Sequence, residues 1–367
     1  MTTRSRPTVF FEAERTRYPN TGLHSFCLEL FEALLAESNE VFDFRFFGAS
    51  SVLRDHPQLE PYLIPVRPIN RIPIPFTGKQ QLTPLSQLKV DLAHVTFQSS
   101  YYFRFPYSKT LLTVHDLNFL HEEGKSARRI ARSRSRVKQR VDHADKVVFI
   151  SEFAKNDCEA QLGSIEGSKV ILNGCAFDQN SEEKRPEAVP SRFLLALGTI
   201  NAKKNFHTLV PLVAEDLTLT LVLAGVPNDS YVEKINRYAG ELGVQKQVKI
   251  LGPVTAEEKR WLYAHCEAFL FPSLAEGFGL PPLEAMSYGK PTFLSTRTSL
   301  PEIGGPLAYY FASFTPGDMT AAFQEGMAHY QADPGLADKI RDHAHQFRWE
   351  TCAKQYLQEY ERLLGGA

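Results

Sequence analysis

The chain has 367 residues, of which 43% are hydrophobic and 23% are charged, and its formal net charge at pH 7 is −1. This length suits two domains of ordinary size, and the composition is typical of a globular protein rather than a disordered one. The nearly balanced charge argues against a general nucleic-acid binder.

The five cysteines are scattered along the chain, and no Cys-x-x-Cys pair occurs. This pattern predicts reduced thiols and offers no zinc-ligand spacing, so we expect no metal site. The N-terminus leads straight into a predicted strand without a visible signal peptide. No apolar run approaches the ~20 residues that are needed to span a bilayer. We therefore expect a cytoplasmic enzyme.

The N-terminal half alternates between strand and helix patterns, as a doubly wound α/β unit does. Residues 8–11 predict the first strand, and residues 23–35 have apolar side chains at helical spacing. Gly22 in the turn between them would let a ligand come close to the backbone, and a plain turn is the equal alternative. The proline-rich residues 54–88 predict an irregular surface loop. Further strands are predicted at residues 42–47, 91–95, 110–114 and 146–151.

His115 and Asp116 follow the strand at residues 110–114. They stand at the carboxyl end of that strand, where open α/β sheets bind ligands. Histidine titrates near neutral pH, so His115 is a candidate site residue, with a structural role as the alternative. Asp116 is expected to orient the loop.

Residues 125–140 form the basic run KSARRIARSRSRVKQR. The arginines that stand four residues apart are Arg128, Arg132, Arg136 and Arg140. We expect this row to share one helix face. A solvated charged helix is one interpretation, and peripheral contact with an anionic membrane at its inner face, or with a diphosphate-bearing lipid acceptor, is the other. RNA binding is disfavoured because no aromatic residues are interleaved.

Two lysines follow a further strand at residues 192–197, which comes after a polar, linker-like stretch at residues 178–191. Lys203 and Lys204 stand at a strand-to-helix turn, with Asn205 as the expected N-cap of an apolar helix. The arrangement predicts a phosphate-binding corner. Solvated loop lysines are the alternative.

The most specific stretch is FLFPSLAEGFGLPPLEAMSYGKP, at residues 269–291. The apolar run at residues 268–271 is typical of a buried parallel strand. Proline in a first helical turn removes no hydrogen bond, so we predict a helix over residues 283–288, which Gly289 ends. The glycines before this helix let the backbone approach a ligand, and the free N–H groups there favour a phosphate.

Glu276 and Glu284 flank this corner, eight residues apart. A carboxylate repels a phosphate, so we expect both to accept hydrogen bonds from hydroxyl groups. A ligand with hydroxyl groups on either side of a phosphate is a nucleotide sugar. A plain strand-to-helix turn with an ordinary glutamate is the alternative.

The same stretch resembles the glutamate-x7-glutamate signature of retaining glycosyltransferases of family 4. The resemblance implies the α/β GT-B fold, in which two Rossmann-like, doubly wound domains face a central cleft. It implies that Glu284 binds the nucleotide ribose and that Glu276 contacts the transferred sugar. The residues between them whose backbone would meet sugar and phosphate are Gly277, Phe278, Gly279 and Leu280.

Other segments also resemble that family. TVHDLNFL is similar to the segment in which a histidine, here His115, contacts the transferred sugar near the reacting carbon. GTINAKKN is similar to a segment whose second basic residue, here Lys204, grips the donor diphosphate. Many members carry arginine where this chain has Thr199, and whether Lys203 supplies the missing charge stays open. Gly22 matches a family glycine that lets the donor or acceptor approach.

The resemblance implies an acceptor-side domain at residues 1–178, a donor-side domain at residues 179–348, and a C-terminal helix at residues 349–367 that packs on the first domain. It implies a retaining hexosyltransferase that needs neither metal nor cofactor, with a saccharide or a lipid-linked acceptor. GDP-mannose is the favoured donor, because the motif is similar to that of bacterial mannosyltransferases of surface-polysaccharide assembly. UDP-glucose, UDP-GlcNAc and GDP-rhamnose or fucose stay open. The alternative function is a non-catalytic nucleotide-sugar binder or a membrane-recruited partner protein.

Overall fold

The computed structural model describes residues 6–365, except for residues 20, 39, 67–87, 101–107, 121–125, 178–180 and 188. The chain divides into two compact units: Met1–Gly174 together with Arg348–Ala367, and Cys175–Phe347. The predicted divisions stand after residues 178 and 348. Most of the predicted loop at residues 54–88, Lys125 of the basic run, and residues 178–180 and 188 of the linker lie outside the described residues.

The first unit is built on a parallel sheet. Its strands are β1 (Thr8–Ala13), β2 (Asp43–Gly48), β3 (Leu63–Pro65), β4 (Leu92–Val95), β5 (Lys109–Val114), β6 (Lys146–Phe149) and β7 (Lys169–Val170). They lie in the order β3-β2-β1-β4-β5-β6-β7. Its helices are α1 (Gly22–Glu37), α2 (Ala127–His143), α3 (Glu152–Leu162) and, from the end of the chain, α10 (Trp349–Leu363). The order reverses between β1 and β4, which is the switch point of a doubly wound sheet.

Phenylalanine side chains fill the space between this sheet and α1. Strands of a parallel sheet are covered on both faces, so β1 can carry the apolar run VFF. The ring of Phe11 on β1 lies 5.1 Å from Phe31 on α1 and 6.1 Å from Phe46 on β2, measured between ring centroids. These rings are buried and hold α1 against the sheet.

The C-terminal helix α10 belongs to the first unit and packs against α1. A buried polar network joins it to the sheet: His94 Nδ1 lies 2.6 Å from the Tyr360 hydroxyl, and His94 Nε2 lies 2.8 Å from Thr113 Oγ1. Thr113 Oγ1 is in turn 3.1 Å from the Tyr356 hydroxyl. Burial lowers the pKa of His94 to about 3, so the network is neutral at physiological pH.

The second unit is built on a second parallel sheet. Its strands are β8 (Phe193–Leu197), β9 (Thr220–Ala224), β10 (Val248–Gly252), β11 (Ala268–Phe271), β12 (Thr292–Ser295) and β13 (Tyr309–Phe311). They lie in the order β10-β9-β8-β11-β12-β13. Its helices are α4 (Asp229–Glu241), α5 (Ala256–His265), α6 (Leu280–Ser287), α7 (Leu300–Gly304), α8 (Pro316–Ala332) and α9 (Leu336–Ala344). Here the order reverses between β8 and β11.

Two glycines allow the loops after β8 and β9 to touch. Gly198 and Gly225 have φ values of +142° and +134°, which side chains rarely tolerate. A Cβ atom on Gly225 would lie 2.1 Å from the carbonyl oxygen of Gly198. A side chain at position 225 would therefore push the loop after β8 out of place.

Two predicted helices differ from the structure, one in its ends and the other in its type. The predicted strand at residues 268–271 is present as β11, but α6 begins at Leu280 and ends at Ser287, with Pro281 and Pro282 in its first turn. The apolar segment Phe206–Val213 is a 3-10 helix rather than an α-helix. Pro211 inside it lacks an N–H group and cannot join an α-helical ladder.

The basic run lies on α2, where Arg128, Arg132 and Arg136 are exposed. The prediction that Arg140 shares their face is wrong, because Arg140 is buried and its Nη1 donates to the carbonyl oxygen of Gln98 at 2.9 Å. Four residues advance a helix by about 40° beyond one turn, so a row at this spacing drifts towards the buried side. Within the described residues, no helix is long and apolar enough to cross a membrane.

Candidate functional site

The loops after β8 and β11 meet at the switch point of the second sheet. The two strands are neighbours, and both are parallel to the rest of the sheet, so their loops leave the same edge. Open α/β sheets bind ligands at this place because the connections diverge there and leave a crevice. The loop after β8 carries Lys203 and Lys204, and the loop after β11 carries Glu276.

Lys204 and Glu276 form an ion pair in which Nζ and Oε1 are 2.6 Å apart. The two side chains are only 14% and 13% exposed, and the Lys204 Nζ also lies 4.5 Å from the centre of the Phe271 ring. The Ser273 hydroxyl donates a further hydrogen bond to Glu276 Oε1. Burial alone would raise the pKa of Glu276, but the charges of Lys204 and Lys203 and these hydrogen bonds hold it below its usual value. Glu276 is therefore an ionised acceptor at neutral pH.

The backbone around Lys204 is fixed by the neighbouring loop. The Leu274 N–H donates to the carbonyl oxygen of Lys203 at 2.9 Å, and the Asn201 side chain accepts from the Lys204 N–H at 3.2 Å. Asn205 stands at the N-cap position of the apolar helix, as predicted, but it has φ +60° and its side chain makes no capping hydrogen bond, while Asn201 caps the short 3-10 turn Ala202–Lys204. An N-cap needs extended backbone, which a left-handed residue does not have.

The glycine-rich loop before α6 is held from the segment after β12. Thr298 Oγ1 accepts from the Glu276 N–H at 3.0 Å, and Ser299 Oγ donates to the carbonyl oxygen of Phe278 at 2.6 Å. The Phe278 ring is buried and packs against Phe347, with 6.1 Å between ring centroids. The side chain of Phe278 is thus part of the core.

Gly279 stands at the N-cap of α6 with φ +128°, and no side chain caps this helix. A Cβ atom there would lie 3.1 Å from Leu300 Cδ2, so both the backbone angle and the packing favour glycine. Leu280 is the first residue of the helix. Pro281 and Pro282 have no N–H group, so the N–H group that this helix start can offer to an anion is that of Leu280.

Glu284 has partners of its own on α5. Lys259 Nζ lies 2.8 Å from Oε1 of Glu284, and the Tyr263 hydroxyl donates to Oε2 at 2.7 Å. Burial and the adjacent Glu284 carboxylate raise the pKa of Tyr263 well above its usual value, so Tyr263 stays a donor. Each of the two glutamates is therefore paired with a separate lysine, from a different segment of the chain.

Thr199 and Lys203 are the other two predicted site residues in the loop after β8. Thr199 is exposed directly after Gly198. The side chain of Lys204 passes over Gly198, since a Cβ atom there would be 3.3 Å from Lys204 Cε. Lys203 lines a cavity of about 360 Å³ together with Asn228, Ser230, Tyr231 and Lys234.

In the first unit, His115 follows β5 and is buried. Its Nε2 lies 2.8 Å from the carbonyl oxygen of Thr96, and its ring meets the face of Phe26 at 4.6 Å between centroids. Burial lowers the pKa of His115 to about 4. The ring is thus neutral at pH 7, and its bond to a carbonyl puts the proton on Nε2 and leaves Nδ1 as an acceptor.

Gly22 is the first residue of α1, and Thr21 is the N-cap, whose side chain accepts from the His24 N–H. Gly22 has no left-handed φ, and a Cβ atom there would meet nothing within 4 Å. Neither the backbone nor the packing of the first unit requires a glycine at this position.

A family comparison identifies the second unit. Residues 177–346 match the family model of the glycosyl transferases of group 1. This range spans nearly all of Cys175–Phe347. The second unit is a group 1 glycosyl transferase domain. The paired Lys204 and Glu276 thus stand at the switch point of the glycosyl transferase domain.

Sequence similarity to bacterial mannosyltransferases extends beyond the second unit into the first. The O-antigen chain mannosyltransferase B of Escherichia coli is 25% identical over 394 residues, which cover 97% of this chain and 100% of that protein. The serotype-specific mannosyltransferase WbdA of Escherichia coli is 30% identical over 231 residues, which cover 60% of this chain but only 28% of that protein.

Solved structures confirm the GT-B fold, in which the glycosyl transferase domain is joined to a second Rossmann-like unit. Anabaena HepE, solved with UDP and glucose, superposes with a TM-score of 0.73 at 20% identity and covers 97% of this chain and 100% of that one. The sucrose-phosphate synthase of Thermosynechococcus elongatus gives 0.73 at 18% identity, with 98% and 99% covered.

The sequence patterns did not identify three polar residues, Lys259, Tyr263 and Glu12, as functionally or structurally important. Lys259 and Tyr263, which hold Glu284 in the glycosyl transferase domain, are four apart on α5, a spacing that could have indicated one face. Glu12 ends the apolar strand β1 of the first unit and is 1% exposed, and a lone acid in such a run is a visible signal. The described residues contain no group of three or more His, Cys, Asp or Glu side chains placed to hold a metal ion.

Proposed function

We propose that the protein is a retaining glycosyltransferase that moves mannose from GDP-mannose to a saccharide or lipid-linked acceptor in surface-polysaccharide synthesis. The observation that carries the proposal is the buried Lys204–Glu276 pair at the switch point of the glycosyl transferase domain. The choice of mannose and of a polysaccharide product rests on the relative that the chain covers over its full length, an O-antigen chain mannosyltransferase.

The diphosphate of the donor would bind Lys204 and the N–H group of Leu280 at the uncapped start of α6. Lysine has three N–H donors, so Nζ can keep its bond to Glu276 and still donate to a phosphate oxygen. Glu276 is ionised and accepts hydrogen bonds only, which suits it to hydroxyl groups of the sugar. The backbone of Gly277 and Gly279 can approach the ligand closely because neither residue has a side chain.

Glu284 would hold the nucleotide ribose. Lys259 and Tyr263 use one site on each of its oxygens, and each carboxylate oxygen has a second lone pair for a ribose hydroxyl. The two partners also fix the orientation of the carboxylate before the donor arrives. The cost of ordering this side chain is then met during folding and not during binding.

The proposed chemistry needs positive charge where the nucleotide diphosphate departs. Lys204, with Lys203 nearby, and the start of α6 supply it, so we propose that the transfer requires no metal. A phosphate oxygen of the donor would take the proton of the acceptor hydroxyl while that hydroxyl attacks from the same face. The anomeric configuration would then be retained. The neutral His115, with Nδ1 as acceptor, would bind a hydroxyl of the transferred sugar.

Binding of the donor can be tested by thermal shift with GDP, UDP, ADP and TDP, followed by the matching sugar nucleotides. A ligand that binds only the folded chain raises its melting temperature by mass action, and we expect GDP to give the largest shift. A larger shift with UDP would replace the nucleotide in the proposal. No shift with any of them at saturating concentration would contradict a donor site.

Transfer is tested with GDP-mannose and oligosaccharide acceptors, with the product's anomeric configuration read by NMR. Lys204→Ala and Glu276→Ala should each lower turnover by about a hundredfold or more, because each removes a group that acts on the reacting donor. The exposed Lys89→Ala is the matched control and should be unchanged. Full activity in either site variant, an inverted product, or loss of activity in EDTA would refute the corresponding part. A chain that binds GDP-mannose but neither transfers nor slowly hydrolyses it would be a non-catalytic binder.

A further inference from the structure

Helix α2 carries exposed arginines that form no ion pair with a carboxylate of the described residues. The helix has six arginines and one lysine against a single aspartate, whereas the whole chain has a net charge of −1. The surface outside α2 is therefore net negative. Helix α2 thus carries a local excess of positive charge in a chain that is otherwise net negative.

Four of the arginines form what we term the arginine face. Its members are Arg128, Arg129, Arg132 and Arg136, all of them exposed. At 100° per residue they fall within an arc of about 100°, on the side away from the buried Val137. None of the four forms an ion pair with a carboxylate in the part of the chain that the structure describes, whereas Lys138 on the flank pairs with Asp142 at 2.9 Å.

We propose that the arginine face binds the surface of an anionic lipid bilayer through lipid phosphate groups. The planar guanidinium group presents paired N–H donors that match the oxygens of a phosphate. Arg128 to Arg136 span about 12 Å along the helix, which exceeds the reach of a single small anion and suits an extended layer of headgroups. An interface with another protein would need apolar residues on this face, whereas the exposed residues that separate its arginines are Ala131, Arg134 and Ser135.

The residues of α2 also indicate whether the helix would insert into the bilayer or rest on its headgroups. Ile130, Val137 and Val141 are the large apolar residues of α2 and lie on its inner side, so none can enter the lipid without unpacking the helix. The contact is therefore electrostatic and lies on the headgroups without insertion. It should weaken steeply as salt rises, because exposed charges are screened within about 8 Å at physiological ionic strength. Aromatic residues for stacking on bases are missing from this helix, which disfavours RNA.

The test is co-sedimentation of the full chain with vesicles of phosphatidylcholine, with and without phosphatidylglycerol. Neither donor nor acceptor is present, so the result is independent of the proposed transfer reaction. Each arginine near an anionic surface contributes about a fivefold gain in binding, so the triple variant Arg128→Gln, Arg132→Gln, Arg136→Gln should bind phosphatidylglycerol vesicles about a hundredfold more weakly. All three side chains are exposed, and circular dichroism checks that the variant folds.

Matched controls separate the arginine face from overall charge. The triple variant Arg54→Gln, Lys89→Gln, Arg237→Gln removes the same charge from exposed positions elsewhere and should bind like wild type. Replacement of the three face arginines by lysine should preserve most of the binding, and high salt should abolish the difference between variants. Equal loss in both glutamine triples, equal binding to neutral vesicles, or tighter binding to RNA than to phosphatidylglycerol vesicles at the same salt would overturn the proposal.

Discussion

The buried acid Glu12 should make the first unit less stable as pH rises. Its Oε1 accepts from the Glu14 N–H at 3.0 Å, and Thr96 Oγ1 lies 3.4 Å from its Oε2. Burial raises the pKa of Glu12 from 4.5 to about 7, and hydrogen bonds from Glu14 and Ser100 and the charge of Arg15 offset only part of that rise. The folded chain thus keeps a proton on Glu12 that the unfolded chain loses above about pH 4.5.

The size of the effect follows from this difference in pKa. Between pH 4.5 and 7 the folded state binds more protons at Glu12 than the unfolded state, so the free energy of unfolding falls as pH rises. A shift from 4.5 to about 7 corresponds to a loss of about 3 kcal/mol over that window, with no further loss from Glu12 above it. Glu12→Gln keeps an oxygen acceptor for the Glu14 N–H and cannot ionise. It should match wild type near pH 4.5 and exceed it by up to about 3 kcal/mol at pH 8.

Urea unfolding at several pH values measures this difference. The chain has two tryptophans, Trp261 in the second unit and Trp349 in the first. A Trp261→Phe background therefore leaves fluorescence that reports on the first unit, which avoids treating a two-unit chain as one transition. Carboxylates elsewhere titrate in both proteins, so the difference between Glu12→Gln and its parent isolates Glu12.

An acid elsewhere in the first unit provides the control for Glu12. Asp43 pairs with Arg45 at 2.7 Å, so Asp43→Asn should lose up to about 1 kcal/mol at pH 8 and gain nothing. If the difference in stability between Glu12→Gln and its parent is instead the same at pH 8 as at pH 4.5, folding does not raise the pKa of Glu12. That result would refute the argument from burial.

Two further predictions concern the first unit. Gly22→Ala should leave the melting temperature unchanged, since a Cβ atom there meets nothing within 4 Å. The variant should lower turnover if a ligand approaches this turn. Unchanged turnover would make Gly22 a plain turn residue. Tyr360→Phe removes the partner of His94 Nδ1 and leaves that buried atom unpaired, so urea unfolding should show a loss of about 1–3 kcal/mol. An unchanged free energy of unfolding in Tyr360→Phe would show that the network contributes nothing to stability.

Local patterns predicted the parts of the site that depend on neighbouring residues. The apolar run at residues 268–271 specified a buried strand, and the prolines and glycines after it specified a helix start with an open N-terminus. The turn at Asn205 could not be read in the same way. Whether an asparagine caps a helix depends on its backbone angles, and here the contact of Lys203 with Leu274 fixes the loop in another form.

Local sequence patterns cannot predict which distant residues form ion pairs with one another. Lys204 and Glu276 are separated by 72 residues, and Lys259 and Glu284 by 25. Sequence spacing predicted each glutamate and Lys204 as polar groups of a site, but only the order of the strands brings Lys204 next to Glu276. The burial of Glu12 likewise depends on β4 and its loop, which come more than eighty residues later.

The two lysine–glutamate pairs bear on how the proposed donor site would handle charge. Lys204 balances Glu276 and Lys259 balances Glu284, so the two pairs together are neutral before a donor binds. A nucleotide diphosphate then brings negative charge to a place whose own lysines are already engaged. Its attraction would come from Lys203 and the uncapped start of α6, together with the N–H donors of Lys204 that Glu276 does not use. The pairs also orient both carboxylates, so that the hydroxyl groups of a sugar nucleotide meet fixed acceptors while its phosphates meet the lysines and the helix start.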